Sequence, residues 1–256
     1  MPSGIQQRIR DQYYSRKLSR SSIEDEPELV VARLLVQKGH TALDIGANYG
    51  LFAKFLSEAV GRSGRVYSFE PVPTMFQTLS RNLSGSAYSN VTCFGEAVSE
   101  GTGRAHIEVP TWEDGSPNFY EASLEGGSTG NTERIMIPTV SIDDFVEREG
   151  IEKIDFIKCD VEGHEIAAIK GARRTLETHR PTIFLEVNQS LVDTEHGQAV
   201  AGLIASLGYE IHVLDGLAIR KWTPDFPATV NYILFPGKTA SVSKGGTMAG
   251  ATTAAV

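Results

Sequence analysis

The sequence predicts an α/β fold, a mostly parallel sheet covered by helices on both faces. Three observations carry this. Short apolar runs alternate with stretches of helical period along most of the chain. A glycine-bearing turn follows directly on the first of those runs, and an acidic residue closes the second. Strands that are apolar nearly throughout belong to sheets buried on both sides.

Residues 1–22 are polar and show no clear period. Asp25, Glu26 and Pro27 then mark a helix start, because proline suits the first helical turn and acidic residues suit its positive end. Leu29, Val30, Leu34 and Leu35 continue it as an amphipathic helix toward Gly39. Residues 1–39 thus read as an N-terminal helical extension, followed by one domain over 40–237. Its strands are expected at Thr41 to Ile45, Arg65 to Phe69, Val91 to Phe94, Ile154 to Cys159, Thr182 to Val187, Tyr209 to Leu214 and Tyr232 to Phe235. Between them, helical spacing appears in Leu51, Phe52, Phe55, Leu56 and Val60, then in Met75, Phe76, Leu79 and Leu83. It recurs in Ile166, Ile169, Ala172 and Leu176, and again in Val200, Leu203, Ile204 and Leu207. Residues 99–135 interrupt the rhythm as a polar, glycine-rich insertion with extended pieces at Ala105 to Val109 and Ile135 to Val140. Its place between the third and fourth strands allows it to lie over the site. Residues 238–256 hold almost nothing to bury and read as a disordered tail.

The chain of 256 residues suffices for one sizeable core, and 41% apolar with 22% charged residues is ordinary for a soluble globular protein. A net charge of -8 opposes phosphate backbones, so no nucleic-acid partner is expected. Arg8, Arg10, Arg16, Lys17 and Arg20 are the only basic cluster and read as a solvated arm. Cys93 and Cys159 lie in separate apolar strands with no CxxC pair, which fits a reducing compartment. Neither an apolar signal-peptide core nor a membrane-spanning run is present, and a cytoplasmic location without a membrane partner is expected.

The turn Asp44-Ile45-Gly46-Ala47-Asn48-Tyr49-Gly50 carries the first chemistry. Gly46 and Gly50 let the chain turn sharply and let a ligand approach the backbone. A dinucleotide requires G-x-G-x-x-G, with its pyrophosphate on the helix N-terminus, and that spacing is absent. Asp44 would also oppose a pyrophosphate. A sulfonium cofactor has no phosphate, and a carboxylate would attract its positive charges by roughly a few kcal/mol when partly desolvated. The bland alternative is a plain glycine turn between strand and helix. Glu70 closes the second strand, where a carboxylate can accept both ribose hydroxyl protons; an exposed strand-end glutamate is the alternative. Glu96 and Ala97 end the third strand, where an adenine ring can rest by position alone. Asp160 ends the fourth strand, at the active edge of such a sheet, with Glu162, His164 and Glu165 crowding the next helix start. Acidic residues there often serve only as dipole partners or caps.

With these residues in view, the chain resembles the FkbM family of methyltransferases over roughly residues 40–236. The resemblance is carried by the glycine turn, Phe69-Glu70-Pro71, Pro138-Thr139-Val140-Ser141-Ile142-Asp143-Asp144, and Asp155-Phe156-Ile157-Lys158-Cys159-Asp160-Val161-Glu162-Gly163-His164-Glu165. Ile183-Phe184-Leu185-Glu186-Val187 and Asn231-Tyr232-Ile233-Leu234-Phe235-Pro236 add to it. It implies a class I methyltransferase sheet, Rossmann-like and seven-stranded, with the last strand antiparallel. It further implies S-adenosylmethionine as methyl donor and a hydroxyl acceptor on a sugar or secondary metabolite. On that footing Asp44, Gly46, Asn48, Gly50, Glu70, Glu96, Ala97 and Asp160 are expected at the cofactor. A hydroxyl needs a base to become a good nucleophile, and His164 is the first candidate, Asp160 the second. A divalent metal held by Asp160 and Glu186 is an alternative that no ligand spacing supports. Two other readings remain at this point, an NAD-dependent oxidoreductase and a non-catalytic nucleoside-binding module on the same fold.

Overall fold

The computed structural model describes residues 3–24, 26–112, 116–124, 132–226 and 229–237. Its strands are β1 (Thr41–Ile45), β2 (Arg65–Phe69), β3 (Val91–Phe94), β4 (Ala97–Val98), β5 (Gly103–Pro110) and β6 (Thr132–Val140), then β7 (Phe156–Cys159), β8 (Thr182–Glu186), β9 (Tyr209–Asp215), β10 (Ala218–Lys221) and β11 (Asn231–Pro236). Its α-helices are α1 (Ser3–Arg20), α2 (Val30–Leu35), α3 (Leu51–Val60), α4 (Pro73–Asn82), α5 (Ile142–Arg148), α6 (Glu165–Lys170), α7 (Arg173–His179) and α8 (Glu195–Ser206). The large sheet runs β10-β9-β11-β8-β7-β1-β2-β3. β3, β2, β1, β7 and β8 are parallel. β11, the last strand, pairs antiparallel with both β8 and β9. All seven strands read from the sequence are present, and β10 adds an eighth by folding back on β9.

Strand side chains alternate between two cores, as the period of two demands. Leu43, Ile45, Ile157, Cys159, Ile183 and Leu185 face the core built with Phe145, Ala168, Leu176 and Ile204 of α5 to α8. Ala42, Phe156, Phe184 and Ile233 face the opposite one, with Val31, Ala32, Phe55 and Leu56 of α2 and α3. The first face also holds an aromatic cluster. The Phe145 ring meets Phe69 edge-on at 4.7 Å and Phe94 at 5.0 Å, a geometry that suits the ring quadrupoles.

Three local outcomes differ from the periodicity. The helix expected from Ile166 to Leu176 is two helices, α6 and α7, parted at Gly171. A Cβ at Gly171 would stand 2.0 Å from the Ser99 carbonyl oxygen, so the backbones touch there. Asp143 caps the new helix start, its carboxylate accepting the amides of Arg174 and Thr175 at 2.9 and 2.8 Å. Second, the polar stretch near the start forms α1. Among its described side chains it buries only Tyr14 and Leu18, and it docks on α4 mostly through polar groups. Thr78 donates to Asp11 at 2.8 Å, Arg81 pairs with Asp11, and Gln7 donates to the Thr74 carbonyl at 3.2 Å. Such docking leaves no apolar period to read. Third, the extended pieces of the 99–135 insertion form a second sheet, ordered β4-β6-β5, with β5 and β6 antiparallel from Gly103–Thr139 to Pro110–Thr132. The expected disordered tail, 238–256, lies outside the described residues, as does Asp25. Among the described residues no helix is long and apolar enough to cross a membrane.

Phe145→Ala is expected to lower stability by about 3–5 kcal/mol, because the fully buried ring leaves a cavity against Phe69 and Phe94. Urea denaturation of the variant measures it.

Candidate functional site

The carboxyl ends of β1, β2 and β7 open on one cavity, the edge of a parallel sheet where ligands bind. The glycine turn forms its floor. Gly46, Asn48 and Gly50 all adopt positive φ, at 74°, 50° and 98°. Gly46 is confined further, since a Cβ there would lie 1.9 Å from the Asp160 carbonyl oxygen. The turn is fixed to β2, with the amides of Gly46 and Ala47 donating to the Phe69 carbonyl at 3.1 and 2.9 Å. A Cβ on Gly50 would press on Leu79 of α4 at 3.0 Å.

Glu70 is buried at the end of β2. One carboxylate oxygen accepts the Asn48 amide and the other the Val72 amide, both at 2.9 Å. Each oxygen keeps a further lone pair for a ligand. Burial, only partly offset by those amides, pushes the carboxyl up to about 7. The buried Oδ1 of Asn48 has no hydrogen-bond partner within the protein, and Asn48 is one of the residues that line the cavity. Glu96 and Ala97 line the cavity too. Glu96 is gripped by both terminal nitrogens of Arg148, at 2.9 and 2.8 Å, a fork-on-fork contact that holds it in place.

Lys158 is the element that sequence reasoning missed. It sits in the interior strand β7, paired in register with Asp44 of β1, and is only 4% exposed. Its Nζ donates to the Gly46 carbonyl at 2.8 Å, to the Ile45 carbonyl at 3.3 Å and to the Asp160 carboxylate at 3.1 Å. Asp44 Oδ1 lies 4.0 Å away. Burial alone would lower the Lys158 pKa, yet the charges of Asp160 and Asp44 outweigh it and raise it above the ordinary value. The one signal in the sequence was a lysine inside the apolar run Phe-Ile-Lys-Cys. Asp44 itself is fully buried behind the turn and does not line the cavity. Burial raises its carboxyl to about 6 despite the neighbouring ammonium.

At the end of β7, Asp160, Val161 and Glu162 face the cavity. His164 does not line it. It stands before the first turn of α6, with Nε2 2.9 Å from the Ser99 hydroxyl. The insertion supplies the remaining wall through Ile107, Phe119, Tyr120, Ala122 and Leu124. α1 backs that wall. Tyr14 stacks on Tyr49 at 4.8 Å, while Lys17 lies over the rings of Tyr49 and Tyr120. Among the described residues no group of three or more His, Cys, Asp or Glu is arranged to hold a metal. Of the two carboxylates expected as oxygen donors to a metal, Asp160 and Glu186, Asp160 is already bonded to the Lys158 ammonium.

The profile of the methyltransferase FkbM domain matches residues 44–211. The hexuronic acid methyltransferase AglP of Haloferax volcanii is 31% identical over 152 residues, covering 58% of this chain and 57% of that protein. The 2-O-methyltransferase NoeI of Sinorhizobium fredii is 26% identical over 189 residues, 69% of this chain and 74% of that protein. The chain spans less than two thirds of the length of the first curated relatives it matches. A solved FkbM methyltransferase from Methylobacillus flagellatus aligns with a TM-score of 0.49 and 24% identity, over 79% of this chain and 45% of that one.

Asp44 and Glu70 make stability fall with rising pH. Their folded values of about 6 and about 7 lie above the unfolded ~4, so between those values the native chain holds more protons than the unfolded one. Urea midpoints are expected to be higher near pH 5 than near pH 7.5. The double variant D44N/E70Q flattens this slope; an unchanged slope assigns it to other groups.

Proposed function

The chain belongs to the FkbM family of methyltransferases, and we propose that it transfers a methyl group from S-adenosylmethionine to a hydroxyl oxygen of a small molecule, a sugar or secondary metabolite. One observation carries the choice of cofactor. Four carboxylate residues line the cavity, Glu70, Glu96, Asp160 and Glu162, and no lysine, arginine or histidine does so among the described residues. A pyrophosphate has no counter-charge there, which disfavours a dinucleotide. A ligand with a sulfonium and an ammonium meets the reverse condition.

The residues fit such a ligand. Asn48 offers an unsatisfied buried acceptor to an ammonium donor. Glu70, held by two amides, is preorganised to accept ribose hydroxyls. Ala97 and Glu96 supply the wall for a flat base, the latter immobilised by Arg148. Gly46 leaves the floor bare of side chain, and Gly50 serves it indirectly by seating the turn on α4. Asp44 acts from behind the turn by setting the position of Lys158. When bound, the cofactor supplies an electrophilic methyl group on positively charged sulfur. The chain contributes by alignment, which can account for much of the rate in a displacement of this kind. Asp160 faces the cavity while bonded to the Lys158 ammonium, and is placed to orient the acceptor. His164, bonded to Ser99, ties the Val161–Gly163 loop to the segment after β4 and is assigned a positioning role. The similarity to AglP, a hexuronic acid methyltransferase, and to NoeI, a 2-O-methyltransferase, supports a sugar hydroxyl as acceptor. The free thiols of Cys93 and Cys159 fit a reducing, cytoplasmic setting.

Calorimetric titration with S-adenosylmethionine, S-adenosylhomocysteine and NAD tests the reading. Dissociation constants on the order of micromolar are expected for the two adenosyl ligands, weakened at least about tenfold in Gly46→Ala and Glu70→Ala. Binding of NAD in their place, or of none of the three, would falsify it.

A further inference from the structure

Glu162 is held more tightly than a loop glutamate needs to be. Its φ of 50° lies in the left-handed region, which a non-glycine residue adopts only at a cost in strain. Two distant segments hold it there. The Ser123 hydroxyl, from the insertion, donates to the Glu162 carbonyl at 2.8 Å. The Asn188 amide, from the loop after β8, donates to Glu162 Oε2 at 2.8 Å. The carboxylate is therefore fixed at the cavity wall, beside Asp160 and in the same cavity as Phe119 and Tyr120.

Among the described residues no cation offsets it from within the cavity. Lys158 is engaged by Asp160 and the glycine turn, and Arg148 by Glu96. Lys17 and Arg10 lie over the rings of Tyr120 and Phe119, at 5.8 and 4.7 Å, and neither lines the cavity. Asp160, Glu165, Glu121 and Glu186 add negative charge around the same carboxylate.

We propose that the methyl acceptor is an uncharged polyhydroxy ring, a neutral sugar residue, whose reacting hydroxyl donates to Glu162 and whose ring face lies against Tyr120. The inference rests on the methyl-transfer reading and narrows its substrate class. A carboxylate accepts hydroxyl protons strongly, and an aromatic face suits the apolar C–H side of a sugar ring. A uronate or phosphate would instead bring like charge against Glu162 with nothing to neutralise it. The step balances without a further reactant. The acceptor oxygen forms its bond to the methyl carbon while the carbon–sulfur bond breaks and its electron pair stays on sulfur. The hydroxyl proton passes to Glu162 and then to water. Burial and the Asp160 charge hold the Glu162 carboxyl near 7, which suits it to take up and release that proton.

The test loads the protein with S-adenosylhomocysteine and titrates it near pH 8 with a methyl glucoside, the corresponding methyl glucuronoside and a glucose phosphate. Binding is read by saturation-transfer NMR, and transfer of labelled methyl from S-adenosylmethionine to the same three is followed in parallel. The neutral glycoside is expected to bind at least about tenfold more tightly than either anion. Glu162→Gln should weaken it about tenfold, and a circular-dichroism melt matching that of the wild type shows that the variant folds. Glu162→Lys should turn the preference toward the glucuronoside. Equal or better binding of an anion by the wild type, binding of none of the three, or no change in Glu162→Gln would overturn the proposal. Loss of S-adenosylhomocysteine binding by the wild type would instead bring down the methyl-transfer reading on which it stands.

Discussion

A single buried ammonium organises the active edge of this sheet. Lys158 projects from an interior strand into a space with almost no water, where an unpaired charge would be prohibitive. Its hydrogens are used on the carbonyls of Ile45 and Gly46 and on Asp160, with Asp44 close behind. The glycine turn, the end of β1 and the end of β7 are thereby drawn to one point. Remove that cation, and two carboxylates would face each other across a low-dielectric gap while two carbonyls lost their donor. Buried ion pairs seldom add net stability, but they do specify geometry. Here the geometry specified is the floor of the cavity.

The walls come from a different source. β4, β5 and β6 form a small sheet of their own, and the segment after β5 delivers Phe119 to Leu124 to the cavity. α1 braces that segment with Arg10 over Phe119 and Lys17 over Tyr120, and stacks Tyr14 on Tyr49 of the glycine turn. The site thus has a rigid floor of sheet edge and a wall carried by less regular chain. That division suits a site with a fixed floor whose choice of ligand is set by the wall.

Parts of the site were legible in the sequence, and the reason is local. Gly46, Glu70, Ala97 and Asp160 follow strands whose ends can be read from composition, and a strand end in a parallel sheet is by topology a site position. Asp44 was legible as a residue but not as a buried one. Its distance from the cavity depends on how far the turn lifts over it. His164 stood next to the right strand, yet the start of α6 turns it toward Ser99. Glu162 reads as an ordinary helix-start acid, because its two restraints, Ser123 and Asn188, lie 39 and 26 residues away. The division of α6 from α7 was hidden for the same reason, since only the passing Ser99 backbone forbids a side chain at Gly171.

What the sequence determined by itself is what short-range physics governs: the order of strands and helices, the faces they bury, the glycine turn and the acid that closes β2. Periods of 2 and 3.6 are written in neighbouring residues and need no partner to be read. Tertiary structure alone decided which charges meet. The pairing of Lys158 with Asp44 and Asp160, the docking of α1 through polar groups, and the clamp on Glu162 all join segments far apart in the chain. Their energies depend on burial and on distances of a few ångströms, and neither quantity exists until the sheet has closed.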